Sequence, residues 1–312
     1  MDLLKALGFR QRPAEGTPAR GDRLLSMTDD LIDALRPTPA VALDDEGLPK
    51  RIVAIADTHG ESRLFARLLQ GLHGVDAAGD AALYLLGDLV DRGPDSRGCL
   101  DIASRILRER PASRIFLGNH DEWFLRFLKG DLSGDEALNW LSQGGSETIE
   151  SYGLAADGDL SRVKDAVIET APDHLTLLNE AEAIGLVGDF AFVHAGVDPA
   201  KPLDAQDPHD CVWIRAPFMR HEGPLSHVVV HGHTPQKGRR PTVTENRISI
   251  DTGACFVGTM TAVVIDRAAG SIDFYAVDRG GTFSEIAAHR LDRGFGTVLD
   301  RFGPSRPMAA KG

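Results

Sequence analysis

Cysteine is scarce in this sequence. Cys99, Cys211 and Cys255 stand far apart with no CxxC pair, so neither a disulfide framework nor a zinc ribbon is expected. A basic excess is also missing, since 34 Lys and Arg face 46 Asp and Glu, a formal net charge of −12. Bulk binding to nucleic acid or to an anionic membrane favours a basic surface, so neither is an expected partner. Any phosphate has to be met locally, by a metal or a few arginines. No apolar run approaches membrane-spanning length. The opening MDLLKALGFRQRPAEG has no long apolar core followed by a small-residue cleavage site, and the expected location is cytoplasmic. No internal repeat is visible. What is present, 42% hydrophobic and 26% charged residues over 312 positions, describes a globular chain with room for one large catalytic domain or two small ones.

Residues 1–50 scatter proline, glycine and charge, as in QRPAEGTPARG and RPTPAVALDDEGLPK. They read as a partly flexible extension in which MDLLKAL and LLSMTDDLIDAL make short amphipathic helices. From residue 51 the pattern changes. RIVAIAD, AALYLLGD and SRIFLGNHD read as buried strands, alternating with the helical stretches ESRLFARLLQGL and SRGCLDIASRILRER. That alternation predicts parallel βαβ units. Residues 131–183 read as mostly helical, interrupted by the glycines of SQGGSE and SYG. DFAFVHAG, SHVVVHGHT, RISIDTGA, TAVVID and SIDFYAV then read as strands of a second, more antiparallel sheet. A catalytic domain over 51–295 and a tail over 296–312 follow from this pattern.

Five of these strands end on Asp, His or Asn: Asp57 and His59, Asp88, Asn119 and His120, His194, and His231 with His233. Side chains beyond the carboxyl ends of strands in an α/β sheet converge on one crevice. Carboxylates, imidazoles and an amide suit Mn²⁺, Fe or Zn²⁺, whereas calcium wants more oxygens and no thiolate is offered. Singly, each residue has a plainer reading: an Asp at a strand end caps a turn or helix, GDLVDRGPD is rich in turn residues, and a lone buried His is often only packed. Those plainer readings would have to hold five times over, each time at a strand end.

The motifs ADTHG, GDLVDRG, GNHD, HAG and HGHT, in this order over about residues 51–265, closely resemble the signature of the calcineurin-like metallophosphoesterases. More narrowly they resemble the phosphoprotein phosphatase family, whose bacterial members include Ser/Thr protein phosphatases and diadenosine tetraphosphate hydrolases. The resemblance implies an α/β (α+β) fold of two mixed sheets packed as a sandwich flanked by helices, with a two-metal centre at its edge. That differs from the strand-by-strand reading of the later strands. By the same resemblance Asp57 and His59 hold the first metal, Asp88 bridges both, and Asn119 and His194 hold the second. The last ligand is the His of the GHT motif, His233 between Gly232 and Thr234, with His231 as its competitor. Two divalent cations are implied, Mn²⁺ in the first place, with Fe or Zn²⁺ accepted by the same ligands. Cations about 3.5–4 Å apart acidify a shared water, and direct attack of the bridging hydroxide leaves no phosphoryl-enzyme intermediate.

In this picture His120 protonates the leaving oxygen and Asp91 orients it, while Arg92, Arg215 and Asn119 hold substrate phosphate. Two positions depart from the family pattern: Ala56 stands where a glycine is usual, and Leu117 stands where the protein phosphatases carry a phosphate-binding arginine. Leucine there is familiar in the diadenosine tetraphosphate hydrolases. Lys237, Arg239 and Arg240 in QKGRRPT read as a solvated loop within reach of a polyphosphate chain. The expectation is a Ser/Thr protein phosphatase tolerant of phosphotyrosine and small phosphoesters. The alternatives are a diadenosine tetraphosphate (Ap4A) hydrolase and, in another class, a phosphatase-fold binding protein without catalysis.

Overall fold

A computed structural model of the chain describes residues 41–75, 77–156 and 158–303. The two helices expected within 1–40 lie outside the described residues, as do residues 304–312. Strand β1 (Arg51–Ile55) leads through helix α1 (Ser62–Gly74) to β2 (Ala82–Leu85), and α2 (Ser96–Glu109) leads on to β3 (Arg114–Ile115). β1, β2 and β3 pair in parallel, as the helical crossovers require. α1 forms on the stripe Leu64, Phe65, Leu68, Leu69 and Leu72, all buried. α2 starts where Asp95 accepts the Gly98 N–H at 3.0 Å.

Helices α3 (Asn119–Lys129), α4 (Gly134–Trp140), α5 (Ser146–Ser151), α6 (Leu160–Thr170) and α7 (Pro172–Asn179) follow, with a wide helical turn at Leu141–Gly145. The chain then makes β4 (Ile184–Val187) and β5 (Phe190–Val193), the short helices α8 (Pro208–Trp213) and α9 (Ala216–Arg220), and strands β6 (Val228–His231), β7 (Thr242–Val243) and β8 (Arg247–Ser249). After α10 (Ala254–Val257) come β9 (Thr259–Asp266), β10 (Ser271–Asp278), β11 (Phe283–Glu285), β12 (His289–Arg290) and α11 (Val298–Arg301).

The strands make two six-stranded mixed sheets, β11-β10-β9-β1-β2-β3 and β12-β7-β8-β6-β5-β4. This corrects the strand-by-strand expectation of a second, more antiparallel sheet and agrees with the two mixed sheets that the resemblance implies. β5, β6 and β8 run parallel to one another, while TAVVID folds back antiparallel onto β1 in the first sheet and SIDFYAV pairs antiparallel with TAVVID. Each of those two strands carries apolar side chains on both faces, one set in the inter-sheet core and the other against α1 and its neighbours.

Alternation within the strands sets the layers. Ile52 and Ala54 join Phe192, Val230, Ile248 and Phe274 between the sheets, while Val53 and Ile55 face α1 and α2 on the other side. Along β5, Phe190 and Phe192 point between the sheets and Ala191 and Val193 point outward to Cys211 and Phe218. Burying each such large side chain contributes roughly 1.5–3 kcal/mol. The described part of the N-terminal extension is fastened to this body: Val41 and Leu48 pack on the inter-sheet core, and Arg267 pairs with Asp44 at 2.9 Å. Val298 of α11 is buried there too. Among the described residues no helix is long and apolar enough to cross a membrane.

Candidate metal centre

Asp57 follows β1, Asp88 follows β2, Asn119 opens α3 just after β3, His194 follows β5 and His233 follows β6. The carboxyl ends of parallel strands from both sheets thus meet at one edge of the sandwich. The loops interlock there through backbone bonds, Asp57 N–H to Gly87 O at 3.0 Å and His59 N–H to Asp88 O at 2.9 Å. Two glycines permit this approach. A Cβ on Gly118 would lie 2.2 Å from the Asp88 nitrogen, and one on Gly232 would lie 1.9 Å from Asp57 Oδ2. Asp57, His59, Asp88, Asp91, Arg92 and His233 all hold positive φ, between 43° and 73°. Such backbone is disfavoured for residues with side chains and persists where surrounding structure over-determines it, as at functional sites.

His59, Asp88 and His120 each bring one donor atom within 4.8 Å of the other two, and Asp88, His194 and His233 do the same. Asp88 belongs to both groups, and every member is buried. His59 Nδ1–H donates to Val90 O at 2.8 Å and His194 Nδ1–H donates to Leu86 O at 2.8 Å, so on both rings Nε2 is the unprotonated nitrogen and faces the site. Burial lowers the His59 imidazole to about 3 and the His233 imidazole to about 2, so both are neutral, the form that binds a metal.

The unprotonated Nε2 of His194 faces Asn119 Oδ1 at 3.1 Å and an Asp88 oxygen at 3.5 Å, with His233 Nδ1 at 3.2 Å. His233 Nδ1–H can donate to His194 Nε2 while its own Nε2 accepts from Arg215. The Asn119 and Asp88 oxygens, however, are acceptors facing an acceptor, an arrangement that a cation among them relieves. Carboxylates crowd the same edge. Burial, then Asp251 and Asp88, push Asp57 well above the usual carboxylate range. Burial opposes the charge of Asp88 as well, but His194, His120, His59 and His233 hold its carboxyl far below the usual value. A buried pair of donor groups sharing one ionised carboxylate fits two divalent cations.

Beside the first group lies a second set of contacts. His120 Nδ1 donates to Asp91 Oδ2 at 2.6 Å, and its Nε2 meets Arg92 Nη2 at 2.6 Å. Burial alone would lower His120, yet Asp88 and Asp91 outweigh it and raise the imidazole above its ordinary value. Arg92 also reaches His59 Nε2 with Nη1 at 2.5 Å. Across the edge the exposed Arg215 donates from Nε to His233 Nε2 at 2.9 Å.

All ten residues expected from the motifs therefore lie along this edge, and His233, not His231, takes part in a donor group. His231 is turned into the protein, donating from Nδ1 to Gly232 O at 2.9 Å and accepting from Ser249 Oγ at 2.7 Å. Leu117 packs against the helical side of the core, and Ala56 lies in the inter-sheet core. Lys237, Arg239 and Arg240 are exposed.

Sequence reading missed several neighbours. Asp121 of GNHD accepts the N–H groups of Leu89 (2.9 Å) and Val90 (3.3 Å), bracing the GDLVDRG loop. Trp140 and Thr148 bond Asp91 from 49 and 57 residues away, too far for any local spacing to reveal. Three rings line the site: Trp123 against His120 with ring centres 5.2 Å apart, Trp213 against His233 at 6.5 Å, and Phe256 under the Arg92 guanidinium at 5.2 Å. The two indoles touch each other at 5.0 Å, and Phe256 is 58% exposed.

A family profile described as Metallophos, calcineurin-like phosphoesterase, matches residues 50–253. The chain is 28% identical over 233 residues to an asymmetrical bis(5'-nucleosyl)-tetraphosphatase PrpE of Geobacillus sp. (strain WCH70), covering 68% of this chain and 89% of that protein. It is 26% identical over 258 residues to a symmetrical bis(5'-nucleosyl)-tetraphosphatase of Neisseria gonorrhoeae (strain NCCP11945), covering 65% and 89%. It is also 28% identical over 224 residues to serine/threonine-protein phosphatase 1 of Salmonella typhimurium (strain LT2), covering 68% and 90%.

Proposed function

We propose, from the premise that this chain belongs to the calcineurin-like phosphoesterase family, that it is a two-metal hydrolase whose substrate is a bis(5'-nucleosyl) tetraphosphate such as Ap4A. This reverses the order of the expectations drawn from sequence, where the protein phosphatase came first. The observation that carries the reading is the aromatic lining of the site. Trp123 and Trp213 stand beside His120 and His233, where a planar base attached to the scissile phosphates can stack. Leu117 supports it, because the arginine by which protein phosphatases grip phosphate is absent at that position. A second reading, a Ser/Thr phosphoprotein phosphatase, is favoured by the Salmonella relative.

By the family resemblance Asp57, His59 and Asp88 would hold one divalent cation, and Asp88, Asn119, His194 and His233 the other, Mn²⁺ in the first place. The donor groups of the structure share His59, Asp88, His194 and His233 with this set and add His120. When bound, the cations lower the pKa of water for attack on phosphorus and neutralise phosphate charge. Arg92 grips non-bridging oxygens through its planar fork, and Arg215 and Asn119 hold the phosphate from the other side. His120 Nε2 accepts from Arg92 Nη2; a phosphate that takes over the guanidinium's donors brings its leaving oxygen to this nitrogen, where the protonated imidazole would give up its proton. Asp91 holds the opposite nitrogen of the ring and steadies the positive charge. The free thiols suit the reducing cytoplasm proposed for the protein.

The test is a side-by-side assay of purified, Mn²⁺-loaded protein on Ap4A and on phosphoserine and phosphothreonine peptides. The main reading expects Ap4A cleavage with a far higher kcat/KM than any peptide. Peptide dephosphorylation without Ap4A cleavage would overturn it in favour of the second reading, and inactivity on both would favour a binding protein.

A further inference from the structure

Asp91 is wholly buried and holds a left-handed backbone with φ 73°, and its carboxylate is bound on every side. Thr148 Oγ1 donates to Oδ1 at 2.6 Å. Trp140 Nε1–H spans both oxygens, at 3.2 and 3.0 Å, and His120 Nδ1 takes the remaining direction on Oδ2. The Asp91 N–H is held as well, by Ser96 Oγ at 3.0 Å and Thr148 Oγ1 at 2.9 Å. The hydroxyl protons are all placed: Thr148 gives its own to Asp91, and Ser96 gives its own to Thr148 across 2.9 Å. Trp140, Thr148 and Ser96 have no solvent exposure.

Trp140 and Thr148 come from one stretch, α4 to α5, none of whose side chains belongs to the donor groups. The same stretch offers the Gly144 carbonyl to the Arg92 N–H at 3.3 Å. Trp140 is itself locked, with ring centres 4.8 Å from Phe127 and 5.9 Å from Phe124. A carboxylate bound only by His120 would turn about its Cβ–Cγ bond and carry the imidazole with it. Two buried donors, Trp140 fixed against α3 and Thr148 on α5, prevent that rotation.

We infer that Trp140 and Thr148 are positioning residues for the Asp91–His120 pair, setting the line along which His120 meets the leaving oxygen. This rests on the reading of His120 as the proton donor. The helical segment over 134–151 is then part of the catalytic apparatus, acting through hydrogen bonds that end on one carboxylate.

The test uses Trp140→Phe, which keeps the ring and removes the N–H, Thr148→Val, which keeps the shape and removes the hydroxyl, and Thr148→Ser, which restores it. Two readouts are taken on the full chain, with His120→Asn in parallel: kinetics with Mn²⁺, and NMR with diamagnetic Zn²⁺, because paramagnetic Mn²⁺ would broaden a proton so near the donor groups. The first is kcat for hydrolysis of 4-nitrophenyl phosphate, a good leaving group, against an alkyl phosphate, a poor one. A misaimed proton donor costs more where the leaving oxygen needs the proton, so Trp140→Phe and Thr148→Val should lose at least tenfold more on the alkyl ester, with KM little changed and Thr148→Ser near wild type. The second, independent of turnover, is the far-downfield proton resonance of the 2.6 Å His120–Asp91 hydrogen bond, assigned by its absence in His120→Asn. It should move or broaden in Trp140→Phe and Thr148→Val and stay in place in Thr148→Ser.

If His120→Asn shows the leaving-group selectivity but Trp140→Phe and Thr148→Val lose rate equally on both esters, the inference falls while the reading of His120 stands. An unmoved resonance in both variants also overturns the inference, including where neither ester is turned over. If His120→Asn is itself unselective, the reading of His120 falls and takes the inference with it.

Discussion

Replacing Asp88 by Asn removes one negative charge and keeps the shape. Asp88 is the single residue common to both donor groups, 3.4 Å from His59 Nε2 and 3.5 Å from His194 Nε2, while its Oδ1 accepts the His120 N–H at 3.0 Å. A unit charge acting on a cation at about 4 Å, with an effective dielectric constant near 20, contributes about 4 kcal/mol per cation charge. Taking that figure as a conservative loss at each site, affinity falls by about a thousandfold per cation.

Calorimetric titration with Mn²⁺ reads this directly, and thermal melting reads it again through linkage. Wild-type protein at a cation concentration of 100 Kd gains about 2.7 kcal/mol per cation, or roughly 5–10 °C in Tm for each site in a domain of this size. At the same concentration the variant, near a tenth of its own Kd, gains less than about 0.1 kcal/mol and no measurable Tm. Comparing each protein with and without cation cancels any effect of the substitution on the apo fold. Two cation equivalents bound by Asp88→Asn with unchanged affinity, or turnover within a few-fold of wild type, would refute the shared-carboxylate assignment.

Other substitutions test other parts of the site. His233→Asn should lose one cation equivalent, whereas His231→Asn should retain both and cost about 1–3 kcal/mol through its lost partner Ser249, both measured by metal analysis and denaturant unfolding. Gly118→Ala places a methyl 2.2 Å from the Asp88 nitrogen, so the two loops must part; a loss of about 1–3 kcal/mol and weakened cation binding are expected in the same assays. Burial pushes the Cys255 thiol up to about 12, so at pH 7 about one molecule in 10⁵ is thiolate. Iodoacetamide at pH 7 should leave activity intact, and rapid inactivation would point instead to a cysteine nucleophile. Trp123→Ala with Trp213→Ala should raise KM for Ap4A about tenfold or more, with little effect on KM for inorganic pyrophosphate or an alkyl phosphate; an equal effect on all would remove base stacking from the account.

The first half of the fold was legible in the chain because its signals are local. Alternating strand and helix between residues 51 and 115 admits parallel pairing and little else, and α1 and α2 sit where the apolar stripes put them. The later strands were visible as strands, but their partners were not. Nothing within TAVVID or SIDFYAV says that the first pairs with β1 and the second with β9 and not with strands of the other sheet, since pairing between distant strands is settled only when the layers pack. At the site, the ligand types at five strand ends were determined by sequence, because each is fixed to a motif a few residues long. The choice between His231 and His233 is a matter of which way the chain turns after β6, decided where the His233 N–H meets both Asp57 oxygens at 3.0 Å and His231 closes onto Ser249.

The supports of Asp91 and the aromatic walls were beyond reach for the same reason. Trp140 and Thr148 reach Asp91 from a helical segment some fifty residues away, and the two indoles come together from α3 and α8. Short motifs determine which atoms are available for chemistry. Their aim and their surroundings are set by contacts between distant segments, which exist only once the sheets and helices have packed.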